Sequence, residues 1–192
     1  MKETEAYYKF RSDFALEKLL EFSYQLKKEI ELKKPIEGDL WKTIEEKLLI
    51  EWTYNSNAIE GSTLTQGETM FFLKNGLTVE GKPFKDFMDA KNHADAIEFL
   101  YDVVKNNRQI SPSLIKEFNS FLLCGIKSLS AIDSNGNKIE KKTSPGEYKK
   151  LPNHVLQNDG TIHKYVEPIQ VPLEMDILCN WINDNINNTH PI

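Results

Sequence analysis

Tyr54-Asn55-Ser56-Asn57-Ala58-Ile59-Glu60-Gly61 is the polar end of an otherwise apolar helical pattern. Gly61 is the residue expected to step into the left-handed region and stop the helix, with Glu60 on the last turn. A carboxylate there faces the partial negative charge of the helix C-terminus, at a cost of about 0.3–1 kcal/mol unless a cation or donor answers it. Ser56 precedes Glu60 at i,i+4 spacing on the same face, so hydroxyl and carboxylate point at one neighbour, and Asn57 adds a third polar group. Charged helix ends are common, and a lysine elsewhere that satisfies Glu60 is the plainer reading of the spacing alone.

Working outward, the segments on both sides read as helical scaffold. A first helix is expected from about Thr4 to Lys34, with Tyr7, Phe10, Phe14, Leu19, Phe22, Leu26 and Ile30 at helical spacing and Lys33-Lys34-Pro35 as its stop. Asp39 then caps a second helix, predicted to bury Trp41, Ile44, Leu48, Trp52 and Ile59, and this helix ends at Glu60. Thr65-Gln66-Gly67-Glu68 is a capping box for a short third helix that stops near Asn75-Gly76. Phe87, Ala90, Ala94, Ile97, Tyr101 and Val104 mark a long fourth helix closing at Asn106-Asn107. Ser111-Pro112 opens a fifth, carrying Leu114, Ile115, Phe118 and Leu122 to Gly125.

The stretch from Lys127 to Pro145 is polar, and only a turn at Asp133-Ser134-Asn135-Gly136 is expected in it. Residues 148–156 and 161–166 flank Asn158-Asp159-Gly160 and predict a hairpin, with Pro152 confining one strand to an edge. Val171-Pro172 leads into a last helix with Met175, Leu178, Ile182 and Ile186 on one face. The fold class is therefore mainly α, a helical domain carrying one small β-hairpin.

A net charge of -5 argues against a general nucleic-acid surface, and against a helix-turn-helix regulator, because phosphate contacts need clustered Lys and Arg. The short runs Lys27-Lys28, Lys33-Lys34 and Lys141-Lys142 read as solvated faces. Cys124 and Cys179 lie far apart without Cys-x-x-Cys spacing, and the first residues lack an apolar leader, so a reduced, cytoplasmic setting with no membrane span is expected. His93, His154, His163 and His190 are scattered, and none has a His or Cys partner at ligand spacing, so packing or surface roles are expected and no metal site. His154 and His163 are placed to face each other across the hairpin only if its register allows. No phosphate-cradling glycine loop occurs.

Ser56-Asn57-Ala58-Ile59-Glu60-Gly61 resembles the inhibitory motif of Fic-domain proteins, Ser/Thr-x-x-x-Glu-Gly/Asn. The likeness continues through Gly61-Ser62-Thr63-Leu64-Thr65, Glu68-Thr69 and Asp89-Ala90-Lys91-Asn92-His93-Ala94. Pro145-Gly146-Glu147-Tyr148-Lys149 resembles the family's Pro-Gly-x-Tyr-Arg lead into its hairpin, with Lys149 where Arg is usual, and residues 166–182 complete the match.

The resemblance implies transfer of AMP from ATP, with Mg2+, to a Ser, Thr or Tyr hydroxyl of a target protein. It implies that Glu60 is the inhibitory acid, with Ser56, Asn57 and Gly61 forming its helix end. The hairpin near 146–166 becomes a flap that holds the target as an added strand, with Gly146, Tyr148, Lys149, Leu151, His154 and Ile162 as its contact residues. Residues 1–61 would be the N-terminal helices including the inhibitory one, and 62–192 the N-terminal part of a Fic-like helical core. The family's active loop, His-Pro-Phe-x-Asp/Glu-Gly-Asn-Gly-Arg-x-x-Arg, is absent from the sequence: His190-Pro191-Ile192 is not that loop. The domain is thus expected to be incomplete at its C-terminus, to carry no catalytic residue and to bind ATP and Mg2+ poorly alone. The alternative is a non-catalytic module that presents Glu60 to an arginine of a partner Fic enzyme. The oligomeric state is open, a homo-oligomer included.

Overall fold

A computed structural model describes residues 14–34, 38–133 and 136–187. The start of the expected first helix, Pro35, Ser134-Asn135 and His190-Pro191-Ile192 lie outside the described residues. The described chain divides into two units, one holding the residues up to Thr43 together with Ile186 and Asn187, the other Ile44–Asn185.

In the first unit, α1 (Phe14–Leu32) is the expected amphipathic helix. Its stripe stands open: Leu19 is 62% exposed and Phe22 61%. Helix α2 (Asp39–Ile59) starts with Asp39 as its first helical residue and runs into the second unit.

The second unit continues with α3 (Gln66–Asn75), α4 (Phe84–Lys105), α5 (Pro112–Leu122) and α6 (Val171–Asn185), with two antiparallel hairpins between α5 and α6. Local chemistry fixes most of these boundaries. Thr65 Oγ1 accepts from the Glu68 amide at 3.2 Å while Glu68 Oε2 accepts from the Thr65 amide at 2.8 Å, so the capping box forms as the spacing predicts. Those bonds, with Lys82 beside them, lower the Glu68 pKa. Asn107 takes φ +49° at the end of α4, which lets the Arg108 amide reach back to Val103 O at 3.1 Å. Ser111 Oγ accepts from the Leu114 amide at 3.2 Å and starts α5.

The core sits where α3 and α4 meet the connector before α3: Leu64, Phe87 and Ala90 are buried together, with Phe72 and Val79 packed on them. Ala94 and Ile97 extend the buried face of α4 as predicted, whereas Tyr101 and Val104 are exposed beyond it. The expected stripe of α2 is corrected. Trp52 is 44% exposed and Ile59 83%, while the residues that become buried are Ile50 and Thr53. These lie one helical turn apart on the side that meets α4, where Thr53 Oγ1 is 3.3 Å from His93 Nδ1 and the Trp52 ring meets the His93 ring edge-on. On α6 the most buried residue is Cys179 rather than Ile186, which falls past the end of the helix. Cys124 lies in the turn after α5, not within it.

The polar stretch after Gly125 is not irregular. It forms a hairpin of β1 (Ser128–Ile132) and β2 (Lys138–Lys142), with Ala131 opposite Ile139 and Ser128 opposite Lys142. Asp133 closes its turn by accepting from the Asn137 amide at 2.9 Å. The predicted second hairpin is present but shorter, β3 (His154–Leu156) with β4 (Ile162–Lys164), because Pro152 cannot donate to a ladder and the strand starts after it. His154 pairs with Lys164 and Val155 with His163, so the two histidines do not face each other.

Burial pushes the His93 imidazole below its ordinary pKa. The unfolded chain then takes up the proton first. Stability is full above the unfolded value and declines as pH falls through it toward the folded one. Denaturant midpoints are expected to drop as pH falls below about 6.5, the ordinary imidazole value, and His93→Gln to flatten that part of the slope. An unchanged slope in the variant would remove His93 as its source.

Candidate functional site

Helix α2 ends by its own backbone bonding. Gly61 lies at φ +92°, its amide donates to Ala58 O at 3.1 Å and the Ser62 amide to Asn57 O at 2.9 Å. This paired closure satisfies two carbonyls of the last turn and leaves Glu60 at the cap position. Asn57 donates its amide to Thr53 O at 2.8 Å, so its side chain lies along the helix rather than beside the carboxylate. Ser56 is half-buried one turn before Glu60. Glu60 is exposed, and its carboxylate has no hydrogen-bond or ion-pair partner among the described residues.

The loop that leaves Gly61 is anchored to α4. Asp86, 8% exposed, accepts from both the amide and the hydroxyl of Thr63 at 2.7 Å. Lys82 donates to Thr63 O at 2.6 Å and pairs with Glu68 at 3.3 Å. Thr63, Lys82 and Asp86 were not singled out by sequence reasoning. The available signal was Asp86 itself, an acid in the first turn of a helix that opens after Pro83. Asn92 was also missed as a separate anchor. Nearly fully buried on α4, it donates to Leu122 O at 3.2 Å and Cys124 O at 2.8 Å, filling carbonyls at the end of α5.

The same helix α5 holds the root of the second hairpin. The Gly146 amide donates to Asn119 Oδ1 at 3.0 Å, and a Cβ at this position would collide with Ser120 Oγ and crowd Lys116 O at 3.3 Å. With φ +75° as well, only glycine fits there. Gly146→Ala is expected to cost about 1–2 kcal/mol and to speed amide exchange across β3 and β4. A variant as stable and as protected as the parent would show that the root tolerates a side chain. Tyr148 lies under the Lys116 ammonium, 4.9 Å from its ring centre, and burial raises its phenol pKa, with Asp176 and Cys179 adding to the shift. Lys149 donates to Asn153 Oδ1 at 2.6 Å and stands 5.8 Å from the Tyr165 ring centre. Leu151, His154 and Ile162 are exposed, and β3 pairs with β4 alone among the described residues. Among the same residues its other backbone edge is unpaired, as a further strand would require.

The structure thus gathers Ser56, Asn57, Glu60 and Gly61 at one helix end, and Gly146, Tyr148 and Lys149 at the root of one hairpin that carries His154 and Ile162. No hydrogen bond, ion pair or ring contact joins these two groups among the described residues. Among the same residues no group of three or more His, Cys, Asp or Glu is placed to hold a metal. Arg108, the one arginine described, is engaged by both carboxylate oxygens of Glu117 at 3.0 and 2.8 Å.

No protein-family model matches the sequence, and no curated protein does. Among the solved structures that match is a Fic-domain-containing signalling protein from Bacteroides thetaiotaomicron, 29% identical, with a TM-score of 0.70 over 85% of this chain. The fold is Fic-like. The chain spans 56% of that protein's length. No described helix is long and apolar enough to cross a membrane.

Proposed function

We propose that this chain is the N-terminal part of a self-inhibited, cytoplasmic Fic-type enzyme that transfers AMP from ATP, with Mg2+, to hydroxyl side chains of a target protein. The observation that carries the reading is Glu60, held exposed and without a described partner on a locally closed helix end of a Fic-like scaffold. In this reading Glu60 pairs with an arginine of an active loop that these 192 residues do not contain, and the β3–β4 hairpin offers its open edge to the target. Incubated with labelled ATP, Mg2+ and candidate targets, the 192-residue form is expected to transfer no label. A form extended through the active loop is expected to label its target once Glu60→Gly is introduced, and not before. Strong labelling by the short form would overturn the assignment.

The same lack of a described partner also supports a second role, as a free-standing inhibitor that offers Glu60 to an arginine of a separate Fic enzyme. Copurification of such an enzyme, with its activity restored by Glu60→Ala, would favour that role. A monomer with no partner in pull-down counts against it.

A further inference from the structure

Charge is segregated along this chain. Residues 127–164, which carry both hairpins, hold seven lysines against four acids, a net of +3; the rest holds 17 cations and 25 acids, a net of -8. Most helical cations of the second unit are answered, as in Lys47–Glu51, Lys74–Glu46, Lys85–Asp89 and Lys91–Asp95. On the hairpins the acids are used up locally: Glu147 pairs with Lys150 at 2.6 Å, Asp159 accepts from the Thr161 amide and hydroxyl, and Glu140 accepts from Ser128. Lys149 and Lys164 are left with no carboxylate partner among the described residues. Apolar side chains share the Lys164 face of the hairpin, Leu156 being 70% exposed and Ile162 60%.

We propose that the β3–β4 edge selects an acidic, hydroxyl-bearing segment of its target, so that charge as well as strand pairing decides what docks; this rests on the reading of the hairpin as a target-binding flap. The register places Lys164 opposite His154 and Leu156 opposite Ile162 on one face, with Val155 and His163 on the other. A strand added along β3 would set its alternate side chains beside His154 and Leu156, with Lys164 and Ile162 one strand farther on the same face. An acid then falls next to His154 on the Lys164 side and an apolar residue next to Leu156. Opposite charge at such cross-strand positions favours association and speeds encounter. A nucleic acid is a poorer occupant, since the remaining -8 of the chain repels a phosphate polymer.

The test uses the intact 192-residue chain and a fluorescent peptide alternating Thr or Val with Glu, beside a twin with every Glu replaced by Lys. The acidic peptide is expected to bind at least about tenfold tighter than its twin and to weaken as salt is raised. Lys149→Glu and Lys164→Glu should each weaken it by about threefold or more, while Lys42→Glu leaves it unchanged. Equal binding of the twins, equal loss in all three variants, or tighter binding of single-stranded DNA or phosphatidylserine vesicles would overturn the proposal. Tight acidic binding with no label transfer by the extended Glu60→Gly form would keep the docking surface and overturn the transferase reading. Label transfer without preference for acidic targets would do the reverse.

Discussion

Phe87→Ala is expected to destabilise the chain by about 3–5 kcal/mol, the largest effect of any single truncation in the second unit. The ring is 1% exposed and packs edge-on against Phe72 with centroids 5.2 Å apart. Leu64, Ala90 and Val79 complete its surroundings, so its removal opens a void at the meeting of α3, α4 and the connector. Two losses add there: transfer of the ring out of water and the contacts that its neighbours no longer make. The aromatic pair contributes a further part of this total, about 0.5–1.5 kcal/mol. Urea unfolding followed by far-UV circular dichroism would show the midpoint falling with an unchanged slope. Phe84→Ala, at a site 68% exposed on the same helix, should shift it little. A loss below about 1 kcal/mol at Phe87 would mean that the core is organised around other residues.

Asp86→Ala is expected to cost about 2–4 kcal/mol and to free the loop after Gly61. The carboxylate accepts two bonds from Thr63, both at 2.7 Å, and lies in the first turn of α4, where the helix dipole favours negative charge. Bonds to an ionised acceptor are each worth about 1.5–3 kcal/mol, and they are not independent when one residue supplies both. Truncation also leaves the Thr63 amide without its acceptor. Asp86→Asn keeps one oxygen and should lose less. In a double-mutant cycle with Thr63→Ala the two sites should couple by at least about 1 kcal/mol, and amide exchange at Thr63 should quicken in Asp86→Ala. Independent, additive losses would show that the loop is held by something else.

Most of the helical frame was legible in the sequence because its boundaries are local. Thr65 with Glu68, Ser111 with Pro112, and Gly61 and Gly76 state their roles within four residues of themselves, and the structure forms each of these caps. Burial was read less well. Trp52 and Ile59 belong to an apolar stripe wider than the neighbour that α2 meets, and periodicity records the stripe, not the neighbour. The first hairpin was missed because its lysines mask the period of Leu129 and Ala131 opposite Ile139; the alternation is present but short and half polar. Within the candidate site, Glu60 stood out through its own helix end, and Gly146 through its motif. Thr63 and Asp86 did not, since a bond across 23 positions leaves no mark in local spacing.

The closure at Gly61 has an entropic consequence for Glu60. Two short-range backbone bonds hold the residue, so its Cα is fixed before any cation arrives. A group on a frayed end would surrender about 1–2 kcal/mol of backbone freedom per residue on pairing, and a glutamate on this end surrenders only the rotations of its side chain. The backbone of the acid is therefore preorganised, and a cation that reaches it has only side-chain rotations left to arrest.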